Sequence, residues 1–285
     1  MSDISLLTIV RGRRDHLHHL LRGVANQSTK PREMIIVLMN ESDPGDLPDP
    51  GCQLFVHTLF DADHALPLAA ARNRAAAEAR GETLAFLDVD CIPHRDYLKQ
   101  LDEAVELSRG LVMGDVRYLP KGATDGDWTD AALDKLAQRH PRRPKLPDDR
   151  TLMPLPYHLF WSLSFGLRAE DFAYMGGFDD GYSGYGGEDT DFAFTARHVR
   201  LPFYGCRARV YHQYHDTYSP PYNHLGDIIT NAVRFHQKWQ IWPMDGWLKQ
   251  FDQAGYIDWQ PTHIEILKDV EPETIAAAKT ETPFG

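Results

Sequence analysis

Apolar runs of strand length recur along the first third of the chain, separated by stretches with helical spacing. Ile4–Val10 (ISLLTIV), Glu33–Met39 (EMIIVLM) and Thr83–Leu87 are largely apolar and too short for helices. Residues 53–58 form a weaker strand candidate. Leu17, Leu20, Leu21 and Val24 follow the i, i+3, i+4, i+7 spacing of an amphipathic helix, with Asp15 placed to cap it. Residues 68–80 are Ala-rich and strongly helical, opened by Pro67 and closed by Gly81. This alternation predicts an α/β domain, a mainly parallel sheet flanked by helices. Ligands in such sheets bind at the carboxyl ends of the strands.

The strand at 83–87 runs into Asp88-Val89-Asp90, and Ile92 and Pro93 are expected to end it. Two carboxylates on an apolar floor suit a divalent cation with oxygen ligands. Asp is also common in ordinary turns, so the pair alone decides nothing. Other strand ends are polar as well: Arg11, Gly12, Arg13 and Arg14 after the first strand, Asn40 and Glu41 after the second. Arg72 and Asn73 interrupt a bland helix and either face solvent or line the crevice. His16, His18 and His19 read as solvated side chains rather than ligands.

Further along, residues 96–109 look like an amphipathic helix, and 111–119 and 159–167 like strands. Residues 121–150 are polar and Pro-rich, with a short helix near 131–138 and a basic run at 140–145; a mobile functional loop and disorder are the two readings. The second focus is residues 174–192, YMGGFDDGYSGYGGEDTDF, with six glycines, five acids, and Tyr182 and Tyr185 interleaved. Such glycine density permits positive φ and close approach to backbone. Glu188 and Asp189 open a helix through Arg197, where the dipole favours an anion. A plain N-cap accounts for one acid there, not five. Residues 207–212 form a late strand. If it continues, His212 and His215 face opposite sides; if it stops at His212, both reach one metal. Leu225, Ile228, Ile229, Ala232, Val233 and Trp239 mark a C-terminal helix, and Trp242 and Trp247 read as packing. The acidic, Ala-rich stretch 262–285 is expected to fray in part.

At 285 residues the chain suits one large domain with a substantial core. A formal charge of -11 argues against a nucleic-acid coat or a basic membrane footprint. Cys52, Cys91 and Cys206 fit neither a disulfide framework nor a zinc spacing and suit a reducing cytosol. No run of 18 apolar residues exists to span a membrane, and MSDISLLTIVRGRR has its charges misplaced for a secretory signal. The expected location is cytoplasmic, with peripheral contact at a membrane left open.

Three stretches together resemble one family. They are Ala71-Arg72-Asn73 leading through Gly81-Glu82 to FLDVDCIP, then Gly176-Gly177-Phe178-Asp179 with Gly186-Gly187-Glu188-Asp189, and last a histidine after a late strand. In this order they resemble the inverting family 2 glycosyltransferases of GT-A fold, in the style of the beta-1,4-galactosyltransferase group, over roughly residues 4–215. Three departures stand out. Asp180 replaces the usual Glu, Tyr185 replaces the acceptor-facing Trp of galactosyltransferases, and Asn40-Glu41 lacks the Asp usual for uracil recognition. A different acceptor is implied.

The resemblance implies a GT-A (Rossmann-like) mixed sheet with a nucleotide-sugar half at 1–115, an acceptor and catalytic half at 116–220, and a helical extension at 221–285. It implies sugar transfer from a nucleotide-sugar donor, a UDP-sugar, to a carbohydrate, lipid-linked or other hydroxyl acceptor, with no nucleic-acid partner. The cofactor would be Mn2+ or Mg2+ on Asp90, Asp88 and His212, with His215 in reserve; a nitrogen ligand favours Mn. Donor contacts would come from Arg11, Arg13, Asn40, Arg72, Asn73 and Asp88, the arginines by forked hydrogen bonds to phosphate. Asp189 would be the general base and Glu188 would hold the acceptor, with Tyr182, Tyr185, Gly186, Gly187 and Asp179 around it. A nucleotidyltransferase would want a Gly-rich phosphate loop where Arg-Gly-Arg-Arg stands. A metal-dependent hydrolase would leave Gly-Gly-Glu-Asp without a purpose. A non-catalytic sugar-binding module would bind sugar without releasing nucleotide.

Overall fold

The computed structural model describes residues 3–62 and 65–284. Strand β1 (Ile4–Val10) and β2 (Glu33–Met39) are buried at every position, as strands covered on both faces must be. Strand β3 (Gln53–Leu59) alternates half-buried and exposed residues and forms the edge. Strand β4 (Thr83–Leu87) is again fully buried. β1 pairs in parallel with β2 and β4, and β2 with β3.

The sheet continues through β5 (Cys91–Pro93), β6 (Leu111–Tyr118), the short β7 (Gln138–Arg139) and β8 (Met153–Pro154), β9 (Ser164–Arg168) and β10 (Phe203–His212). Its order is β3-β2-β1-β4-β9-β6-β10-β5, with β7 beside β6 and β8 beside β10. β9 runs antiparallel between β4 and β6, whereas β6 and β10 are parallel. The result is a mainly parallel mixed sheet.

Helices α1 (Arg14–Ala25) and α3 (Tyr97–Ser108) cover one face through Leu17, Leu20, Leu21, Leu98 and Leu101. Between β2 and β4 in the chain, α2 (Leu68–Glu78) packs on the other face. It is joined there by α5 (Ala169–Met175) and α6 (Glu188–His198), while α4 (Asp130–Leu136) lies in the 121–150 stretch. The chain then forms β11 (Thr217–Tyr218), α7 (Leu225–Trp239), α8 (Asp245–Gln253), β12 (Ile257–Trp259), β13 (Ile264–Ile266), α9 (Pro272–Ala277) and β14 (Lys279–Thr280). α7, α8 and β12 share a core of their own, built from Leu225, Ile228, Ile229, Ala232, Leu248, Phe251, Tyr256 and Ile257.

Five phenylalanines tie the two carboxylate-bearing segments together. Phe86, two residues before Asp88, stacks on Phe165 at 4.5 Å. Phe178 stacks on Phe192, three residues after Asp189, at 4.1 Å. Phe172 bridges the pairs, 5.5 Å from Phe86 and 5.8 Å from Phe192. The end of β4 and the start of α6 are thus fixed by one apolar block beneath them.

Several local expectations are corrected. Asp15 does not cap α1: Arg13 is the N-cap residue, in the left-handed region at φ 46°, and Asp15 falls in the first turn. Gly81 does not cap α2, which closes at Ala79 in extended backbone. Gly81 is needed because a Cβ there would lie 2.6 Å from the Ser5 backbone nitrogen. Ile92 and Pro93 do not end the strand system: after a turn closed by Cys91 N–H to the Asp88 carbonyl at 2.9 Å, the chain re-enters the sheet as β5. In 159–167 strand pairing starts only at Ser164. The C-terminal stretch forms α9, and its β14 pairs with β11. Among the described residues no helix is long and apolar enough to cross a membrane.

Phe178→Ala should cost about 3–5 kcal/mol, since a buried ring at the centre of the cluster leaves a cavity. A lower urea midpoint at unchanged slope is the expected reading; a loss below about 1 kcal/mol would show that the block tolerates the gap.

Candidate active site

Asp90 is the node of the first cluster. The antiparallel register of β5 and β10 sets His212 opposite Cys91, beside Asp90. β10 ends at His212, and the Gln213 N–H donates to the Asp90 carbonyl at 2.7 Å. With the strand stopped there, the chain turns and brings His215 back to the same carboxylate. His212 Nε2 lies 3.6 Å from Asp90 Oδ1 and His215 Nε2 lies 3.4 Å from Oδ2. The three ligand atoms fall within 4.8 Å of one another. Arg13, just past the carboxyl end of the parallel neighbour β1, pairs with Asp90 Oδ2.

The charges of this cluster are sorted. Burial alone would raise the Asp90 carboxyl, but His212, Arg13 and His215 around it hold it well below the usual range. Burial pushes the His212 imidazole down to about 4, so it is neutral at physiological pH and has a nitrogen lone pair to offer. An anionic carboxylate flanked by imidazoles, already drawing a guanidinium for counter-charge, fits a divalent ion. Asp88 is not in that ligand group: its Oδ1 accepts from Arg72 Nη2 at 3.3 Å.

The second cluster is tied by Arg72 to Asp88, two residues before Asp90. From α2 its buried guanidinium reaches Asp88 and also donates through Nη1 to Glu188 Oε1 at 3.1 Å, while lying 5.3 Å over the Phe178 ring. Glu188 and Asp189 stand at the N-terminus of α6, whose N-cap is Gly187 at φ 92° rather than an acid. Burial, then the neighbouring Asp189 charge, pushes the Glu188 carboxyl up to about 7. Burial likewise raises Asp189, against the pull of Arg72 and hydrogen bonds from Thr190. Burial raises Asp88 to about 6, with Arg72 opposing. Asp88 and Glu188, a hundred positions apart, therefore meet through Arg72.

Other expected site residues are placed differently. Tyr182 is buried, and its hydroxyl donates to Asp191 at 3.2 Å, so it does not face the cleft. Asp179 is held by Arg234 at 2.6 Å and lies 3.6 Å from Lys238, turned toward α7. Asn73 brackets Phe178 with two hydrogen bonds, both 2.8 Å, and also meets Asp180; it shapes the loop rather than facing a donor. Gly177 must be glycine there, because a Cβ would lie 2.6 Å from Asn73 Oδ1. Asn40, at φ 55°, is occupied by the Ala65 carbonyl and the Asp61 N–H. Gly186 lies against Met244 and Gly187 against Tyr182. Arg11 is exposed at the end of β1. Tyr185 is 36 % exposed beside Glu188 and Asp189.

Sequence reasoning missed a group beside the cluster. Tyr118 lies 4.8 Å from His212, ring to ring, and Phe284 packs edge-on against Tyr118 and His140 at 5.4 and 5.2 Å. Arg143 lies 3.6 Å over Trp161 and donates to the Leu159 carbonyl at 2.6 Å. Its Nη2 is buried without a hydrogen-bond partner. Burial pushes this guanidinium down to about 10, with Tyr118 and Asp189 opposing. The basic run at 140–145 was the available signal.

With this geometry in view, the profile of Glycosyl transferase family 2 matches residues 5–169. The chain belongs to glycosyl transferase family 2. A second profile, the N-terminal domain of galactosyltransferase, matches residues 146–216, which carry GGFD, GGED and both histidines. Validoxylamine A glucosyltransferase from Streptomyces hygroscopicus subsp. limoneus is 25% identical over 225 residues, covering 70% of this chain and 50% of that protein. A second such protein, from subsp. jinggangensis, is also 25% identical over 70% of this chain and 53% of its own length. The family 2 chain thus spans about half the length of the curated relatives it matches.

Among solved structures, S. aureus TarS 1-349 in complex with UDP-GlcNAc superposes with a TM-score of 0.55 at 14% identity, covering 83% of this chain and 67% of that one. GalNAc-T7 with UDP, GalNAc and Mn2+ gives 0.54 at 13% identity, over 74% and 44%. These likenesses establish the GT-A fold.

Removing Arg72 leaves the buried Glu188 and the half-buried Asp88 without their cation. Arg72→Met should destabilise by about 3–5 kcal/mol at pH 8. Asp88 and Glu188 would then titrate still higher, so by pH 5 both are neutral and much of the deficit should disappear. Urea unfolding at the two pH values checks this; an equal loss at both would show that Arg72 acts through packing alone.

Proposed function

We propose that the protein is a metal-dependent, inverting glycosyltransferase that moves a sugar from a nucleotide-sugar donor, most simply a UDP-sugar, to an acceptor hydroxyl. One observation carries the reading: Arg72 bridges Glu188 to Asp88, two residues before Asp90 of the Asp90–His212–His215 cluster. The printed ligands of the structural neighbours, UDP and UDP-GlcNAc, support the donor class, and the glucosyltransferase relatives support hexosyl transfer. The galactosyltransferase profile over 146–216 supports the likeness to that group in the catalytic half.

A Mn or Mg ion on Asp90, His212 and His215 would supply positive charge to the departing diphosphate. Arg13, at the end of β1 and paired with Asp90, is placed to turn to phosphate oxygens when that carboxylate gains another cation. Asp189 takes the acceptor proton as the hydroxyl oxygen forms its bond to the anomeric carbon. The bond from that carbon to the phosphate oxygen breaks, and its electron pair leaves on the diphosphate. One base opposite the leaving group gives inversion. Glu188, fixed by Arg72, orients the acceptor. Asn40 serves this site by holding Asp61 and Ala65, and Asn73 by holding the loop at 178–180. The three thiols suit a reducing cytosol.

Asp189→Asn should lower transfer by roughly 10²–10⁴-fold while UDP with Mn still raises the melting temperature. Undiminished transfer would remove Asp189 from the base role. In the wild type, activity should fall as pH drops through a value above the ordinary aspartate range, because burial raises Asp189 and a protonated base accepts nothing. The limb belongs to the coupled Glu188–Asp189 pair. A pH–rate profile flat down to pH 4 would contradict this.

A further inference from the structure

On the metal-dependent reading proposed above, His215 is the ligand that regular structure does not place. β10 ends at His212, and irregular backbone has to return His215 to the Asp90 carboxylate. The ring itself is oriented by its neighbour. His215 Nδ1 lies 3.1 Å from the Asp216 carbonyl, which can only accept, so Nδ1 carries a proton and Nε2 is the atom left for a metal. The backbone of 213–215 needs a support from elsewhere in the chain.

That support comes from the first turn of α1. Sequence reasoning leaves His16 in solvent, yet its ring is half-buried, with Nε2 3.2 Å from the Tyr214 carbonyl. A carbonyl oxygen only accepts, so His16 is the donor. A return bond comes from Gln213, which is buried and donates through Nε2 to the His16 carbonyl at 3.1 Å. Gln213 and Tyr214 are the two residues between His212 and His215, and each is tied to His16. The His16 and His215 rings stand edge to face, 6.4 Å apart at 63°. His16 lies outside the group of ligand atoms.

α1 is itself fixed to the sheet edge that carries the cluster. Just past its far end, Gln27 donates to the His94 carbonyl at 2.8 Å and accepts from the Leu98 N–H at 3.0 Å. Gly23 lets the helix lie on β5, since a Cβ there would come 2.7 Å from Pro93 Cδ. β5 in turn pairs Cys91, next to Asp90, with His212 on β10. His16 is thus anchored to the same strand pair that holds Asp90 and His212, and its two bonds extend that anchorage to the turn bearing His215.

We propose that His16 is a positioning residue for the cation site: with Gln213 it clamps the 213–214 backbone, sets where His215 Nε2 stands, and so governs how tightly Asp90, His212 and His215 hold a divalent ion.

Titration of the full chain with Mn2+, followed by the EPR signal of the free aqua ion, tests the clamp without recourse to activity. His16→Phe keeps a ring beside His215 but has no N–H, and Mn affinity should fall roughly ten- to a hundredfold. His16→Gln offers an amide N–H from a side chain of similar reach and should bind Mn close to wild type. In a His215→Ala background His16→Phe should cost nothing further, because its effect passes through His215. Gln213→Met removes the return bond and should weaken Mn in the same direction, which keeps the clamp open to disproof if His16→Phe does not fold; urea midpoints of the metal-free proteins show whether it does. Unchanged Mn binding in folded His16→Phe or in Gln213→Met, His16→Gln as weak as His16→Phe, or the full His16→Phe loss in the His215→Ala background would overturn the positioning role while leaving the metal site standing. No Mn binding by the wild type would defeat the metal-dependent reading and the clamp with it.

Discussion

The site depends on one guanidinium. Arg72 sits buried in α2, with a carboxylate from the end of β4 on one side and one from the start of α6 on the other. A lysine could not serve both, because its single ammonium lacks the planar fork that addresses two acceptors from fixed directions. The surrounding Ala69, Ala71 and Ala75 let α2 lie close to the sheet, so the arginine reaches the crevice while its stem stays covered. Below it the Phe178 ring forms the floor. Packing sets where the two acid segments stop, and Arg72 gives both carboxyls a shared hydrogen-bond donor there.

The Asp90 cluster follows a different logic, set by sheet topology. The turn Asp88–Cys91 converts a parallel strand end into an antiparallel edge pairing with β10. That pairing delivers His212 in register, and the end of the strand releases His215 to the same side. Beyond it, β11 and β14 pair and Lys279 meets Asp216 at 2.7 Å, which carries the C-terminal segment back toward Tyr118. Phe284 then completes an aromatic wall against Tyr118, next to His212.

Much of this was legible in the chain. β1, β2 and β4 were read with their observed boundaries, because continuous apolar runs bounded by charge or proline leave little choice. The two acid segments and the paired-histidine alternative could also be read, since each is local in sequence. What failed was partner choice. Asp179, Asn73 and Tyr182 carry the right chemistry, but their partners, Arg234, the Phe178 backbone and Asp191, lie elsewhere in the chain. No spacing rule reveals such a pairing. Gly81 failed for the same reason: its need for a missing Cβ comes from Ser5, seventy-six positions away. In the tail, composition describes an isolated segment and does not show the pairing of β14 with β11.

The same burial acts on four carboxyls and yields opposite outcomes. At Asp90 the surrounding His212, Arg13 and His215 outweigh desolvation and hold the carboxyl well below its usual range. At Asp88, Glu188 and Asp189 one arginine is shared among several acids, and desolvation wins. A permanent anion is what a cation site requires. A carboxyl raised toward neutrality is a stronger base once ionised than an ordinary aspartate, and so better matched to taking a proton from an alcohol. The contrast is thus set by what surrounds each carboxyl: Arg13 and two imidazoles at Asp90, against one Arg72 shared by Asp88 and Glu188.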